Sequence, residues 1–302
     1  MCDSTVHSYR EQSPAGLVND LRVGLREDEF FLVYQPKICL GTRRLLAVEA
    51  LVRWRHPFYG LLMPGDFMPS IEASRLIREF SRHVLKRAVA QCAAWRSDGH
   101  NLPISVNLSP HNLLESDLPD DVGSILDQYR LPAHRLTLEI TETAELHDAK
   151  AMTVLRSLRE RGIRLALDDF GTGYSSLSLL TRMPIHELKI DRSFIHGMLA
   201  KPAAAAIVGT TIELAHALEL QVAAEGVETT AQSEQLAALG CDSAQGDLFG
   251  RPSETLDPAL LESLAQPRPV NRRMKMPSYR IRRDNWPASR RVVDECDEDT
   301  AG

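Results

Sequence analysis

Between Phe30 and Gly246 the chain alternates short apolar runs, each ending in polar residues, with longer segments of helical periodicity. The runs FFLVYQP (30–36), LLAVEALVRW (45–54), ISVNLS (104–109), LTLEIT (136–141), RLALDDFG (164–171), ELKID (187–191), VAAEGV (222–227) and SAQG (243–246) predict strands. Residues 70–95 place Ile71, Leu76, Val84, Leu85, Ala88, Val89 and Cys92 at spacings near three and four, which predicts one helix with an apolar stripe. Further helices are expected at 149–161, 203–219 and 230–239. Strands alternating with helices imply an α/β chain with a parallel sheet, and about eight such units imply closure into a barrel. An open doubly wound sheet is the alternative.

The positions of the polar residues favour the barrel. Glu49, Asn107, Glu139, the adjacent Asp168 and Asp169, Lys189, Glu225 and Gln245 lie late in, or just after, separate predicted strands. Barrels gather functional groups in this way from many strand ends onto one face. No GxGxxG follows the first strand, so dinucleotide binding loses its main support. The connection around Gly41–Arg44 is too short for a crossover helix, so the first two strands must pair antiparallel.

Composition sets the class. At 302 residues, 43% hydrophobic and 25% charged, the chain reads as a soluble folded protein rather than a collagenous or disordered one. The net charge of −6 is unevenly spread: residues 266–291 carry nine Lys/Arg and one acid, and the last eleven residues carry five acids and no base. Residues 1–265 are therefore acidic, at −9. Five scattered cysteines without a CxxC pair indicate neither a disulfide framework nor a zinc ribbon. With no signal pattern and no long apolar run, a cytoplasmic location and the absence of a transmembrane segment are expected.

Each charged strand residue has two explanations. Glu49 shares a strand face with Leu51 and Arg53, and a Glu–Arg pair on a solvated face would account for it as well as function would. Asn107 precedes Ser109-Pro110 and could form an Asx turn. Glu139 in LTLEIT is costly in a buried strand unless paired or bound to a cation. Asp168-Asp169 lead into FGTGYSS, an arrangement suited to divalent metal; capping of a helix beginning near Ser175 would explain the loop without needing two charges. Lys189 and Glu225 could be halves of a buried ion pair. Taken together, five carboxylates, one amide and one ammonium at one barrel mouth would repel unless cations sat among them. Oxygen ligands without a histidine cluster suit Mg²⁺ or Mn²⁺, and two such ions about 3.5–4 Å apart suit phosphate ester hydrolysis. Arg53 is available for the phosphate.

These residues resemble the EAL-domain phosphodiesterases acting on cyclic di-GMP. The matching segments are YQP (34–36), Glu49-Ala50-Leu51 in VEALVRW, NLSP (107–110), LEITET (138–143), DDFGTGYSSL (168–177), LKIDRSFI (188–195), AEGVET (224–229) and QGDLFGRP (245–252). The resemblance implies an α/β fold of the modified TIM-type (β/α)8 barrel kind with an antiparallel early strand, spanning 20–255 between a lead at 1–19 and a segment at 256–302 that ends in a flexible tail. It implies hydrolysis of cyclic di-GMP to linear 5′-pGpG with two ions, Mg²⁺ or Mn²⁺. Glu49, Asn107, Glu139 and Asp168 would hold one ion; Asp168 would bridge to a second held with Asp169 and Glu225. Lys189 would orient the attacking water, with Glu225 as ligand or base. Gln35, Arg53 and Gln245 would contact substrate, and Glu142 would brace the DDFGTG loop. A homodimer is implied as well.

Family members that lost catalytic residues serve as cyclic di-GMP sensors or protein-binding modules, and retention of every named position here favours an enzyme. An unrelated metal-dependent barrel fits the carboxylates but not the ordered segments. Asp247 departs from the family pattern, which usually has an aromatic residue there. The basic tail, with four prolines, reads as a solvated arm. Its sharper reading is contact with membrane, nucleic acid or the acidic body. In the last case, deletion of 266–302 is expected to raise activity.

Overall fold

The short connection at Gly41–Arg44 makes an antiparallel pair. Strands β1 (Phe30–Cys39) and β2 (Leu45–His56) run in register from Phe30 opposite Trp54 to Ile38 opposite Leu45. The turn is closed by Cys39 N–H donating to Arg44 O and Arg43 N–H to Cys39 O, with Arg43 left-handed at φ 58°. The structure, a computed structural model, describes residues 14–142, 146, 148–171 and 177–265. The readings for a helix beginning near Ser175 and for the tail 266–302 lie outside the described residues. Everything below belongs to the unit Met1–Arg268.

After β2 come a short β3 (Gly60–Leu62), then β4 (Ile104–Leu108), β5 (Leu136–Thr141), β6 (Arg164–Phe170), β7 (Glu187–Ile190), β8 (Gln221–Ala224) and β9 (Ser243–Gln245). From β2 through β4 to β9 the neighbours are parallel, and β1 closes the ring by pairing antiparallel with both β2 and β9. The result is a closed eight-stranded mixed barrel, with β3 appended to β2. The expected barrel with an antiparallel early strand is the fold observed.

The helices are α1 (Pro14–Arg26), α2 (Pro64–Glu72), α3 (Ile77–Ser97), α4 (Leu118–Gln128), α5 (Ala149–Glu160), α6 (Leu177–Leu180), α7 (Arg192–Gly197), α8 (Pro202–Ala217), α9 (Thr230–Ala238) and α10 (Pro258–Ala265). Strand residues of one parity, among them Val48, Ile104, Val106, Leu138, Leu165, Leu188 and Val222, are buried in the apolar core. On α3, Phe80, Val84, Leu85, Ala88, Val89 and Cys92 supply the matching stripe. Each buried Val, Leu, Ile or Phe among them contributes about 1.5–3 kcal/mol.

The single helix expected over 70–95 is two helices. The Ser74 hydroxyl donates to Ile71 O and accepts the Leu76 N–H, so a local side-chain bond replaces helical continuation between α2 and α3. The predicted strand 222–227 ends at Ala224, because Gly226 turns left-handed at φ 65°. Among the described residues, no helix is long and apolar enough to cross a membrane.

Candidate active site

Side chains alternate across a strand, so the residues out of phase with the apolar core point into the barrel. That parity collects Gln35 and Lys37 from β1, Glu49 from β2, Ser105 and Asn107 from β4, Glu139 from β5, Asp168 from β6, Glu187 and Lys189 from β7, and Gln245 from β9. Alternation alone would send Asp168 and Asp169 to opposite faces. The β6–β7 register shifts between Leu167 and Phe170, Asp169 is left-handed at φ 54°, and its N–H donates to Asp168 Oδ1 at 3.0 Å. A bulge of this kind re-aims a side chain. Asp168, Asp169 and Glu225 consequently offer carboxylate oxygens that all lie within 4.8 Å of one another.

Glu225 follows β8 and is held from both sides. Its N–H donates to Ile190 O, and the next residue, Gly226, packs so closely on Arg192 that a Cβ there would come within 2.4 Å of the Arg192 Cβ. Downstream, Thr229 and Gln232 form a reciprocal capping box at the start of α9.

At the centre stands Lys189, 1% exposed. Its Nζ lies 2.5 Å from Glu139 Oε2, 2.5 Å from Glu225 Oε1, 3.3 Å from Asp168 Oδ1 and 3.5 Å from Glu49 Oε2. Two amides hold Glu49: Asn107 Nδ2 donates to Oε1 at 2.6 Å, and Gln245 Nε2 to Oε2 at 2.5 Å. Glu49 is therefore a buried member of the cluster and not half of a solvated Glu–Arg pair.

One ammonium among five carboxylates leaves an excess of negative charge, and the protonation of the acids reflects it. Burial and the neighbouring Glu49 push the Glu139 carboxyl up to about 8 despite Lys189. Burial drives Glu225 well above the usual carboxylate range, and burial with Asp168 raises Asp169. For Glu49, burial is outweighed by Lys189 and the two amide donors, and its pKa is lowered. Lys189 stays charged because its carboxylate neighbours outweigh its own burial. The donor set is all oxygen, as hard divalent cations require. Gln245 Oε1 is also buried with no hydrogen-bond partner, an acceptor left for something that binds.

The remaining predicted residues border this cluster. Glu142 Oε2 accepts the Gly171 N–H at 3.2 Å, tying the strand-to-helix loop after β5 to the end of β6. Arg53 is 8% exposed and donates to Val52 O, and Glu49 partly offsets the effect of burial on its guanidinium. It does not touch the carboxylates directly. Gln35 donates to Gly250 O at 3.4 Å and, with Glu225 and Gln245, lines a polar cleft of about 310 Å³.

Arg192, His196, Glu228 and Asp247 also line that cleft, and sequence reasoning assigned none of them to it as a group. It also missed the buried Lys37–Glu187 pair, although both residues share the parity of Gln35 and Lys189 and could have been found by that rule.

With the geometry in hand, comparison with known proteins identifies the barrel. The EAL domain model matches residues 18–252. The chain belongs to the EAL domain family. It is 43% identical over 243 residues to the bifunctional diguanylate cyclase/cyclic di-GMP phosphodiesterase MucR of Pseudomonas aeruginosa, covering 80% of this chain and 36% of that relative. It is 40% identical over 227 residues to the cyclic di-GMP phosphodiesterase PA2567 of the same organism, covering 75% of this chain and 39% of the relative. The chain thus spans well under half the length of these two relatives. A solved structure of the PaMucR phosphodiesterase in complex with c-di-GMP superposes with a TM-score of 0.75 at 42% identity, covering 79% of this chain and 97% of that one. The EAL enzyme Bd1971, with cAMP and cyclic-di-GMP bound, gives a TM-score of 0.76 at 31% identity, covering 84% and 70%.

Proposed function

We propose that this protein hydrolyses cyclic di-GMP to linear 5′-pGpG with two divalent cations, Mg²⁺ or Mn²⁺, and that residues 20–255 form the catalytic unit. The observation that carries the proposal is the convergence of Asp168, Asp169 and Glu225 beside the Lys189-centred cluster, in a chain of the EAL domain family. Glu49, Asn107, Glu139 and Asp168 would hold one ion, and Asp168, Asp169 and Glu225 the other. Bound there, the ions supply neutralisation of the phosphate and a water of lowered pKa.

The protein's own residues do the rest. Lys189 orients the attacking water, and Glu225, whose own proton the bound cations would displace, accepts the water's proton. Water adds to phosphorus, the P–O3′ bond breaks, the O3′ oxygen leaves as a hydroxyl with a proton taken up from solvent, and the product keeps its phosphate on the 5′ oxygen. Arg53 holds the phosphate; Gln35 and Gln245 hold substrate from the polar cleft. Glu142 keeps the end of β6 in place through Gly171. An apolar cavity of about 220 Å³ lined by Leu51, Pro64, Met68, Phe80 and Val84 adjoins Asn107 and suits a base ring.

Homodimerisation and a cytoplasmic location accompany this reading. Cys39, Cys92 and Cys241 are free thiols, as a reducing compartment allows. The test is incubation of the purified full chain with cyclic di-GMP and either metal, followed by chromatography of the products. Release of pGpG that stops on chelation is expected. Binding of cyclic di-GMP with no pGpG under either metal would make the protein a sensor.

A further inference from the structure

Below the carboxylate cluster the barrel is crossed by an ion pair that the proposed chemistry does not use. Lys37 Nζ, from β1, lies 2.6 Å from Glu187 Oε1, from β7, and both side chains are 8% exposed. Inward-facing residues beside the pair are small and buried, among them Ala47, which pairs with Lys37, and Ala166, which pairs with Glu187; on β8 the partner of Glu187 is the exposed Gln221. The long Lys37 side chain therefore spans a gap that its neighbours leave open.

Its place in the ring gives the pair a use. Strand β1 is the one strand of the ring that runs antiparallel to both neighbours, and its seam with β9 consists of three residue pairs, Lys37–Gln245, Ile38–Ala244 and Cys39–Ser243. On its other side, the β1–β2 register shifts between Lys37 and Ile38. Lys37 thus sits at the irregularity where the barrel closes. Two residues earlier is Gln35, opposite Glu49; across the seam is Gln245, which holds Glu49 and reaches Glu225 at 3.5 Å. Glu187 lies two residues before Lys189 on the same face.

Buried ion pairs are poor stabilisers, because desolvation offsets their attraction and apolar side chains of similar volume often serve stability as well. A lysine and a glutamate kept in the lumen at this level therefore point to orientation rather than stability. We infer that Lys37 and Glu187 form a tie across the barrel lumen that holds the closing seam in register and so positions the Gln35 and Gln245 amides against the acidic cluster. Both are positioning residues. Their catalytic readout rests on the hydrolysis proposed above.

The test compares the full chain with Lys37→Met/Glu187→Leu, Lys37→Arg and Glu187→Asp. Thermal melting, Mn²⁺ binding by calorimetry, and kcat and KM for cyclic di-GMP are measured on each. The double apolar variant is expected to melt at or above the parent temperature, yet to lose about tenfold in kcat and about tenfold in Mn²⁺ affinity, the scale of groups that orient metal ligands. Lys37→Arg keeps charge and reach and restores both to within about threefold. Glu187→Asp, which withdraws the carboxylate by one methylene, keeps the parent melting point and loses kcat, so the test survives a double variant that fails to fold. Parent-like kcat, KM and Mn²⁺ affinity in the folded double variant, or parent-like kcat in Glu187→Asp if the double variant does not fold, would overturn the tie. A parent chain that hydrolyses nothing, while the double variant still weakens Mn²⁺ binding, would sink the hydrolysis reading and leave the tie standing.

Discussion

Gln245 donates its amide to Glu49 Oε2 at 2.5 Å while its own Oε1 stays buried without a partner. The first contact steadies a carboxylate; the second leaves a buried acceptor unsatisfied, which costs about 1–3 kcal/mol. Gln245→Met removes both, so the two effects on stability largely offset. Little change in metal-free melting temperature is expected, with a loss of activity of about ten- to hundredfold. Melting curves and initial rates on the same preparation check this.

Glu49 accepts from Asn107 and Gln245 and lies 3.5 Å from Lys189. Truncation to alanine strands two amides and removes a proposed ligand. Glu49→Ala is expected to lower cyclic di-GMP hydrolysis by at least about a hundredfold. Residual turnover within tenfold of the parent, measured by product chromatography, would contradict the role given to this residue.

The raised acids make stability depend on pH in a defined direction. A carboxyl lifted to about 8, as at Glu139, keeps its proton in the folded state where the unfolded chain has lost it. Its stabilisation is complete below the ordinary value near 4.5 and is lost as pH rises through about 8. Glu225 and Asp169 shift the same way. Glu49 and Glu187 are lowered, so their contributions change only in more acid solution. Metal-free protein should therefore melt lower in mildly alkaline than in neutral buffer; His56, His83 and His186, whose pKa values burial lowers, act in the opposite direction in acid buffer. Divalent ions compete with these protons, so the gain in melting temperature from Mn²⁺ should be larger in the alkaline buffer. Scanning calorimetry with and without Mn²⁺ reads both; a metal-free melting point that rises across this range would refute the assignment.

Gly246 sits at φ 152°, and a Cβ there would come within 2.3 Å of both N and O of Val227. Backbone cannot rotate away as a side chain can. The same segment is tied by Val227 N–H donating to Gln245 O and Leu248 N–H to Val227 O. Gly246→Ala is expected to destabilise the fold by more than about 2 kcal/mol and to displace Gln245. Urea titration gives the first quantity and the rate of cyclic di-GMP hydrolysis reports the second.

The strand runs were legible because each combines an apolar face with polar residues at period two, and the Gly41–Arg44 connection left antiparallel pairing as the only direct option. The acidic site was legible because charges inside apolar strands are costly unless they converge. The break at Ser74 was not legible, since the apolar stripe of 70–95 continues across it and the interruption comes from one hydroxyl. Lys37 and Glu187, 150 residues apart, carry no local sign of being partners.

By itself the amino-acid sequence determined which faces of the strands are apolar, how many strands alternate with helices, and that carboxylates, two amides and a lysine end separate strands. Those are consequences of periodicity and of the cost of burying charge. Tertiary structure alone decided that β1 closes the ring against β9, that a bulge turns Asp169 toward the same site as Asp168, and that Lys37 reaches Glu187 beneath it. Each of these depends on register and backbone conformation across the barrel, which side-chain order along one strand does not encode.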